Sequence, residues 1–115
     1  MAQQQAPDTA PSQGSPPPLA CDMDAIPADR RAAHQEQGEY LFRTVAQEIS
    51  EEAAGYAFRF PAGAYPLVTE FIADERLCCP FFDFELHVPP AGGDLQLHIT
   101  GGPGVKDFLQ ALLST

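Results

Sequence analysis

The chain has 115 residues, which is enough for one small domain and too few for two. It carries 16 acidic and 6 basic side chains, a formal charge of −10, so its surface repels phosphate backbones and anionic lipid. We therefore expect no nucleic-acid or membrane partner, and no stretch approaches the roughly 20 apolar residues of a membrane helix. The N-terminus has neither the basic nor the apolar region of a secretory signal, so a cytoplasmic location is expected.

The N-terminal segment, residues 1–20, is rich in Pro and Gln and holds few side chains that could form a core. Such a composition does not repay the entropy lost on ordering, and it predicts a disordered tail. Residues 21–115 are then expected to form a single small α+β domain.

The first predicted element is a long amphipathic helix that begins at Pro27, a residue suited to a first helical turn. Its apolar stripe has helical spacing and runs from Leu41 to Ile49. Gly55 is expected to end it.

A strand at 56–60 follows, since its aromatic residues alternate with Ala57 and Arg59. A second helix is predicted from Tyr65 to about Cys79, because Pro80 disfavours helical geometry in the residue before it.

The C-terminal third predicts a hairpin and a helix. Apolar and polar residues alternate over 82–88 and over 95–100, and a Pro- and Gly-rich turn separates the two runs. A last helix is predicted after 101–104, with an apolar stripe that includes Val105 and Leu109.

This element order, α-β-α-β-β-α, predicts a two-layer α+β sandwich. Each strand and each helix has one apolar face, so helices on one face of a three-stranded, antiparallel-type sheet would bury both. A right-handed crossover through the second helix predicts the strand order 1-3-2.

The densest cluster of reactive side chains is the segment 74–82, DERLCCPFF, which contains ERLCCPF at 75–81. This segment resembles the E-R-x-C-C-P-F core of a family of small uncharacterised bacterial proteins. The resemblance covers about 21–113 and includes three less specific segments: 21–23 (CDM), 56–60 (YAFRF) and 100–109 (TGGPGVKDFL). It supports the domain boundary and implies no established activity.

The cysteines do not match a disulfide or redox pattern. Their number, three, is odd, and two are adjacent, so we expect thiols rather than a disulfide framework. Cys78 and Cys79 lie at a helix C-terminus among acidic residues, where a thiolate is disfavoured. A thiol-dependent redox enzyme is thus the third-ranked interpretation.

The leading hypothesis is a small protein that binds a soft metal or metalloid ion, for detoxification or sensing. Thiolates select zinc, copper(I) and similar ions, and the cation itself favours deprotonation of its ligands. The predicted ligands are Cys21, Cys78 and Cys79, with Glu75 as a fourth ligand or a base. Adjacent helical residues point about 100° apart, so both sulfurs can share one ion only if the helix unwinds at Pro80.

Three alternatives remain open for individual side chains. At least one of Cys78 and Cys79 could simply pack in the core, since free cysteine is among the most buried residue types. Glu75 could pair with Arg59 rather than bind an ion. The histidines on the hairpin are predicted to lie at the surface, with Glu85 and His98 paired across the turn, and His34 has no evident companion.

The second-ranked interpretation of the whole chain is a non-catalytic module for protein interaction or homodimerisation, with structural cysteines. No Ser-His-Asp arrangement, carboxylate pair or nucleotide motif can be identified, so the sequence favours a role other than catalysis.

Overall fold

A four-stranded antiparallel sheet lies at the centre of the protein, whose computed structural model describes residues 19–114. The strands are β1 (Glu48–Glu52), β2 (Gly55–Phe60), β3 (Asp83–His87) and β4 (Leu95–Thr100), and the helices are α1 (Arg31–Tyr40), α2 (Tyr65–Cys78) and α3 (Val105–Leu113). Short 3-10 turns occupy Met23–Ala25, Ala28–Arg30 and Ala62–Ala64, and a π-helical turn, Leu41–Val45, follows α1. All but two residues of the predicted tail 1–20 lie outside the described residues.

The sheet order is β1-β2-β4-β3, and every neighbouring pair is antiparallel. On one face, Phe58 of β2 lies opposite Leu97 of β4, and both are almost completely buried. The helices cover this face, because Val68 of α2 and Leu109 of α3 belong to the same buried cluster. The predicted two-layer α+β arrangement is thus confirmed, as is the 1-3-2 order of the three predicted strands, which are β2, β3 and β4.

The prediction of one long first helix is wrong. The helix ends in the π-helical turn Leu41–Val45, Ala46 adopts an extended conformation, and β1 follows. The sheet consequently has four strands rather than three, and the element order is α-β-β-α-β-β-α. Ile49, which the helical stripe included, instead lies opposite Phe58 across the β1–β2 pair.

Gly55 begins β2 rather than ending a helix. A Cβ atom at this position would collide with the carbonyl oxygen of Ile99 and lie 2.8 Å from the Cα of Thr100. Pairing between β2 and β4 therefore requires a residue without a side chain here, and the β1–β2 hairpin turns just before it.

The segment before α1 is held against the end of α2. The backbone N–H of Asp22 donates a hydrogen bond to the carbonyl oxygen of Cys78, at 2.8 Å. Ile26 is fully buried in the core and Leu19 packs at its edge. This contact brings the first cysteine of the chain to the other two. No helix between residues 19 and 114 has the length and apolarity needed to cross a membrane.

Candidate metal centre

The end of α2 places two sulfur atoms side by side. The helix ends at Cys78, and Cys79 has left the helical region, with φ −123° and ψ 74°, because a proline follows it. The Sγ atoms of Cys78 and Cys79 consequently lie 3.9 Å apart. The helix thus unwinds at Pro80, as a shared ion would require.

The third cysteine completes the cluster. Cys21 lies against the C-terminal end of α2, and the Sγ atoms of Cys21, Cys78 and Cys79 all lie within 4.8 Å of one another. Cys21 and Cys79 form a disulfide, with Cα atoms 4.8 Å apart, and Cys78 is a free, buried thiol. The expectation that all three cysteines are thiols is therefore wrong in this structure. Residues distant in sequence were brought together by the Asp22–Cys78 backbone contact, which spacing alone does not reveal.

A fourth sulfur atom, in Met23, was not singled out from the sequence. Its Sδ lies 3.7 Å from the Cys78 Sγ, at a distance compatible with a weak S–H···S hydrogen bond. The only signal in the sequence is its position two residues after Cys21. Together the four side chains form the sulfur cluster: Cys21, Met23, Cys78 and Cys79.

The environment of the free thiol disfavours its ionised form. Burial raises the pKa of the Cys78 thiol above its ordinary value, and the negative charge of Glu75 raises this pKa further. A hydrogen bond with the backbone of Asp22 partly offsets the effect. Since the thiolate is the nucleophile in thiol chemistry, Cys78 without a bound cation is poorly suited to nucleophilic attack at neutral pH.

Glu75 contacts a histidine rather than the predicted Arg59. Its Oε1 lies 2.8 Å from Nε2 of His34, so this ring nitrogen donates to the carboxylate. His34 is buried and stacks on Phe71, with ring centroids 5.0 Å apart. Its Nδ1 lies 4.0 Å from an Asp74 oxygen and has no hydrogen-bond partner among the described residues.

An ion pair fixes α1 on α2 beside this histidine. The guanidinium of Arg30 donates from Nε to both carboxylate oxygens of the buried Asp74, at 3.1 and 3.0 Å, and its Nη2 also contacts Asp74. Arg30 and His34 lie one helical turn apart, which is why they meet the adjacent acids Asp74 and Glu75. The sequence holds two signals for this pairing. The basic Arg30 and His34 are four residues apart, and two consecutive acids, Asp74 and Glu75, lie in the predicted second helix.

The remaining predicted polar residues lie away from the sulfur cluster. Arg59 contacts Glu48 and Asp94 on the open face of the sheet. Glu85 lies opposite His98 in the β3–β4 register, as predicted, but the His98 side chain hydrogen-bonds Glu52 of β1, at 2.8 Å. The sequence prediction missed this partner because it assigned Glu52 to a helix instead of a strand.

Comparisons with protein-family models, curated proteins and solved structures found no match to this chain. The resemblance carried by 75–81 therefore stays a prediction, and the chemistry of the site rests on its own geometry. Three cysteine sulfurs lie close enough to bind one metal ion, and one pair of them is joined by a disulfide in this structure.

Proposed function

We propose that the reduced protein binds one soft metal ion through Cys21, Cys78 and Cys79, and that the disulfide form is its oxidised, ion-free state. Two electrons and two protons from a thiol reductant would convert the Cys21–Cys79 disulfide into two thiols. Binding would then replace thiol protons with the ion.

The observation that carries this proposal is the spacing of the three cysteine sulfur atoms. Thiolates bound to a common ion at about 2.3 Å lie about 3.8 Å apart in tetrahedral geometry and about 4.0 Å apart in trigonal geometry. The Cys78 and Cys79 sulfurs are already 3.9 Å apart, and the whole set lies within 4.8 Å. Reduction would therefore need only a local separation of Cys21 and Cys79, with no refolding of α2.

Met23 favours copper(I) among the predicted ions. Thioether and thiolate sulfurs are soft ligands that select copper(I), whereas zinc sites use thiolate, imidazole and carboxylate. The Met23 Sδ lies 3.7 Å from the Cys78 Sγ, while the Glu75 carboxylate is engaged with His34. Met23 is thus better placed than Glu75 to be a fourth ligand, although the carboxylate can still balance the charge of the ion.

Electrostatics also support a cation at this site. The chain carries a formal charge of −10, and the negative charges of Glu75 and Asp22 act on Cys78, so the field of the protein attracts cations. The same field disfavours a free thiolate at Cys78, and a bound ion relieves that penalty because it supplies positive charge.

The test is an anaerobic titration of fully reduced protein with copper(I) against a competing chelator. We expect one ion per chain, and at least about a tenfold loss of affinity in each of Cys21→Ser, Cys78→Ser and Cys79→Ser, because serine oxygen replaces a soft thiolate poorly. Met23→Leu, which keeps the volume of the side chain, should cause a smaller loss. Oxidised wild-type protein is the matched control, since it has the same sequence without two of the thiols. Reduced protein that binds the ion no better than this control would refute the proposal.

A second candidate, thiol–disulfide exchange, has one observation in its favour. The Cys78 thiol lies 3.9 Å from Sγ of Cys79, which is bonded to Cys21. Attack by a Cys78 thiolate on the Cys79 sulfur would form a Cys78–Cys79 disulfide and release Cys21 as a thiolate. The raised pKa of Cys78 opposes this step. Peptide mapping after controlled oxidation distinguishes the candidates, because exchange requires a substantial Cys78–Cys79 population.

A further inference from the structure

A cavity of about 400 Å³ adjoins the sulfur cluster, between the helices and the covered face of the sheet. Three of the four sulfur-bearing side chains, Cys21, Met23 and Cys78, line it. Most of the remaining wall is aromatic or aliphatic and includes Phe42, Phe58, Phe71, Phe82, Ile99 and Leu109. A metal ion alone needs no apolar space of this size, so the cavity is unexplained by the proposed function.

We propose that the cavity accommodates the organic group of an organometallic cation, a soft metal bonded to one aryl or alkyl group, whose metal is held by the sulfur cluster. This inference rests on the proposed function and names its substrate class. On binding, the bond between the metal and a leaving anion such as chloride breaks, a metal–sulfur bond forms, and the thiol proton passes to solvent. The metal–carbon bond stays intact, so no redox change is required.

The size and chemistry of the cavity fit such a group. Apolar cavities of about 150 Å³ in proteins stay dry and bind benzene, and pockets for small ligands begin at about 300 Å³. The aromatic walls add a preference for ring-bearing groups: Phe42 already meets Phe58 and Phe71 edge to face, with centroids 4.8 and 5.1 Å apart. A further ring could stack or meet these side chains in the same geometry.

The division of ligands within the sulfur cluster also fits an organometallic cation. A metal that already has one carbon ligand needs fewer sulfurs than a free ion. The sulfur-bearing residues that line the cavity are Cys21, Met23 and Cys78, whereas Cys79 is fully buried and is not part of the wall. The metal can therefore lie at the cavity wall, with its organic group directed into the apolar space.

The exposed part of the cavity wall combines two apolar side chains with the polar Gln35, Glu39 and Arg43. Ile49 of β1 and Leu112 of α3 both belong to the wall and remain 45% and 44% exposed. These are the positions at which a larger side chain would narrow the cavity with the least disturbance of the core. Val88 is similarly exposed, at 52%, and lies outside the wall, so it provides a matched control.

The experiment measures competition by a small monothiol for phenylmercury, methylmercury and mercury(II) bound to the reduced full chain. The monothiol has no cavity, so it corrects for metal–sulfur affinity. We expect the protein to prefer phenylmercury over methylmercury by about 10- to 100-fold, the gain typical of burying an apolar side chain of similar size. In Ile49→Trp and Leu112→Trp this preference should fall to about one, while mercury(II) affinity is unchanged. Val88→Trp should retain the preference.

The outcomes separate this inference from the proposed function. If mercury(II) binds tightly to the three thiols but phenylmercury shows no preference, the inference is overturned and the proposed function stands. If no ion shows thiol-dependent binding, both fail. A preference that persists in the variant whose circular dichroism shows a native fold, Ile49→Trp or Leu112→Trp, also overturns the inference, because the organic group would then lie elsewhere. If both variants lose the native fold, the preference of the wild type for phenylmercury over methylmercury decides, and a ratio near one overturns the inference.

Discussion

The contribution of the Cys21–Cys79 disulfide to the free energy of unfolding follows from the length of chain that it closes into a loop. Cys21 and Cys79 are 58 residues apart, and a cross-link over this distance raises the free energy of the unfolded chain by about 4 kcal/mol at 25 °C, because it removes conformational entropy. Replacing Cys21 with serine removes the cross-link and leaves Cys79 as a thiol. Cys21 is partly exposed whereas Cys79 is fully buried, so Cys21→Ser perturbs packing less than a change at Cys79. We expect the free energy of unfolding in oxidising buffer to fall by up to about 4 kcal/mol.

Urea unfolding followed by far-ultraviolet circular dichroism measures this difference. Reduced wild-type protein is the control, because it keeps all three thiols and loses only the cross-link. Reduced wild type and reduced Cys21→Ser should unfold at nearly the same urea concentration. An oxidised wild type that is no more stable than the variant would contradict a stabilising role of the cross-link, as would a full difference in stability that persists after reduction.

Three further predictions test the sheet and the thiol. Gly55→Ala should lower stability by at least about 1–3 kcal/mol, because its Cβ would strike the backbone of β4, whereas Gly63→Ala, which has open space around it, should be nearly neutral in the same denaturation assay. Phe58→Ala should lower the free energy of unfolding by about 3–5 kcal/mol, since Phe58 is 1% exposed, and a negligible loss would contradict its place in the core. The rate at which iodoacetamide alkylates Cys78 should reach half its maximum at a higher pH than for a cysteine in a short, exposed peptide, because burial and then Glu75 raise the pKa of this thiol. Glu75→Gln should lower that midpoint only in part, and an unchanged midpoint would exclude a contribution from the carboxylate.

Most of the fold could be predicted from the sequence because its apolar periodicities are strong. The 56–60 and 95–100 strands and the start of α2 match the alternation and proline signals that predicted them. The prediction for the segment 41–52 was wrong because Leu41, Val45 and Ile49 are spaced four residues apart, which is the spacing of an apolar stripe on a helix. Ile49 is the only apolar residue of β1 and remains 45% exposed, so an alternation with a period of two left little trace in this strand. Pairing with β2, a contact between neighbouring segments, decided its structure.

The candidate site was predictable only as far as local geometry determines it. Unwinding before Pro80 is a local effect, and the sequence identified it as the condition under which Cys78 and Cys79 could share one ion; the structure meets this condition. The disulfide and Met23 depend on where the segment before α1 docks on the end of α2, which no periodicity encodes. Glu75 illustrates the same limit, because its partner His34 lies 41 residues away in the chain.

The disulfide and the proposed ion would link the same parts of the chain, so they should stabilise the fold as alternatives. An ion shared by Cys21 and Cys79 joins the segment before α1 to the end of α2, as the disulfide does. A ligand present at about 1,000 times its dissociation constant raises the free energy of unfolding by about 4 kcal/mol, which is close to the contribution of the cross-link. Reduced protein should therefore regain most of its lost stability in urea when copper(I) is added, and oxidised protein should gain much less. Cys78→Ser provides the control, since it keeps the disulfide when oxidised and, at a tenfold lower affinity, should lose at least about a third of the stabilisation by the ion when reduced. Equal stabilisation of the oxidised and reduced forms would mean that the ion binds elsewhere, because the disulfide removes two of the three thiols.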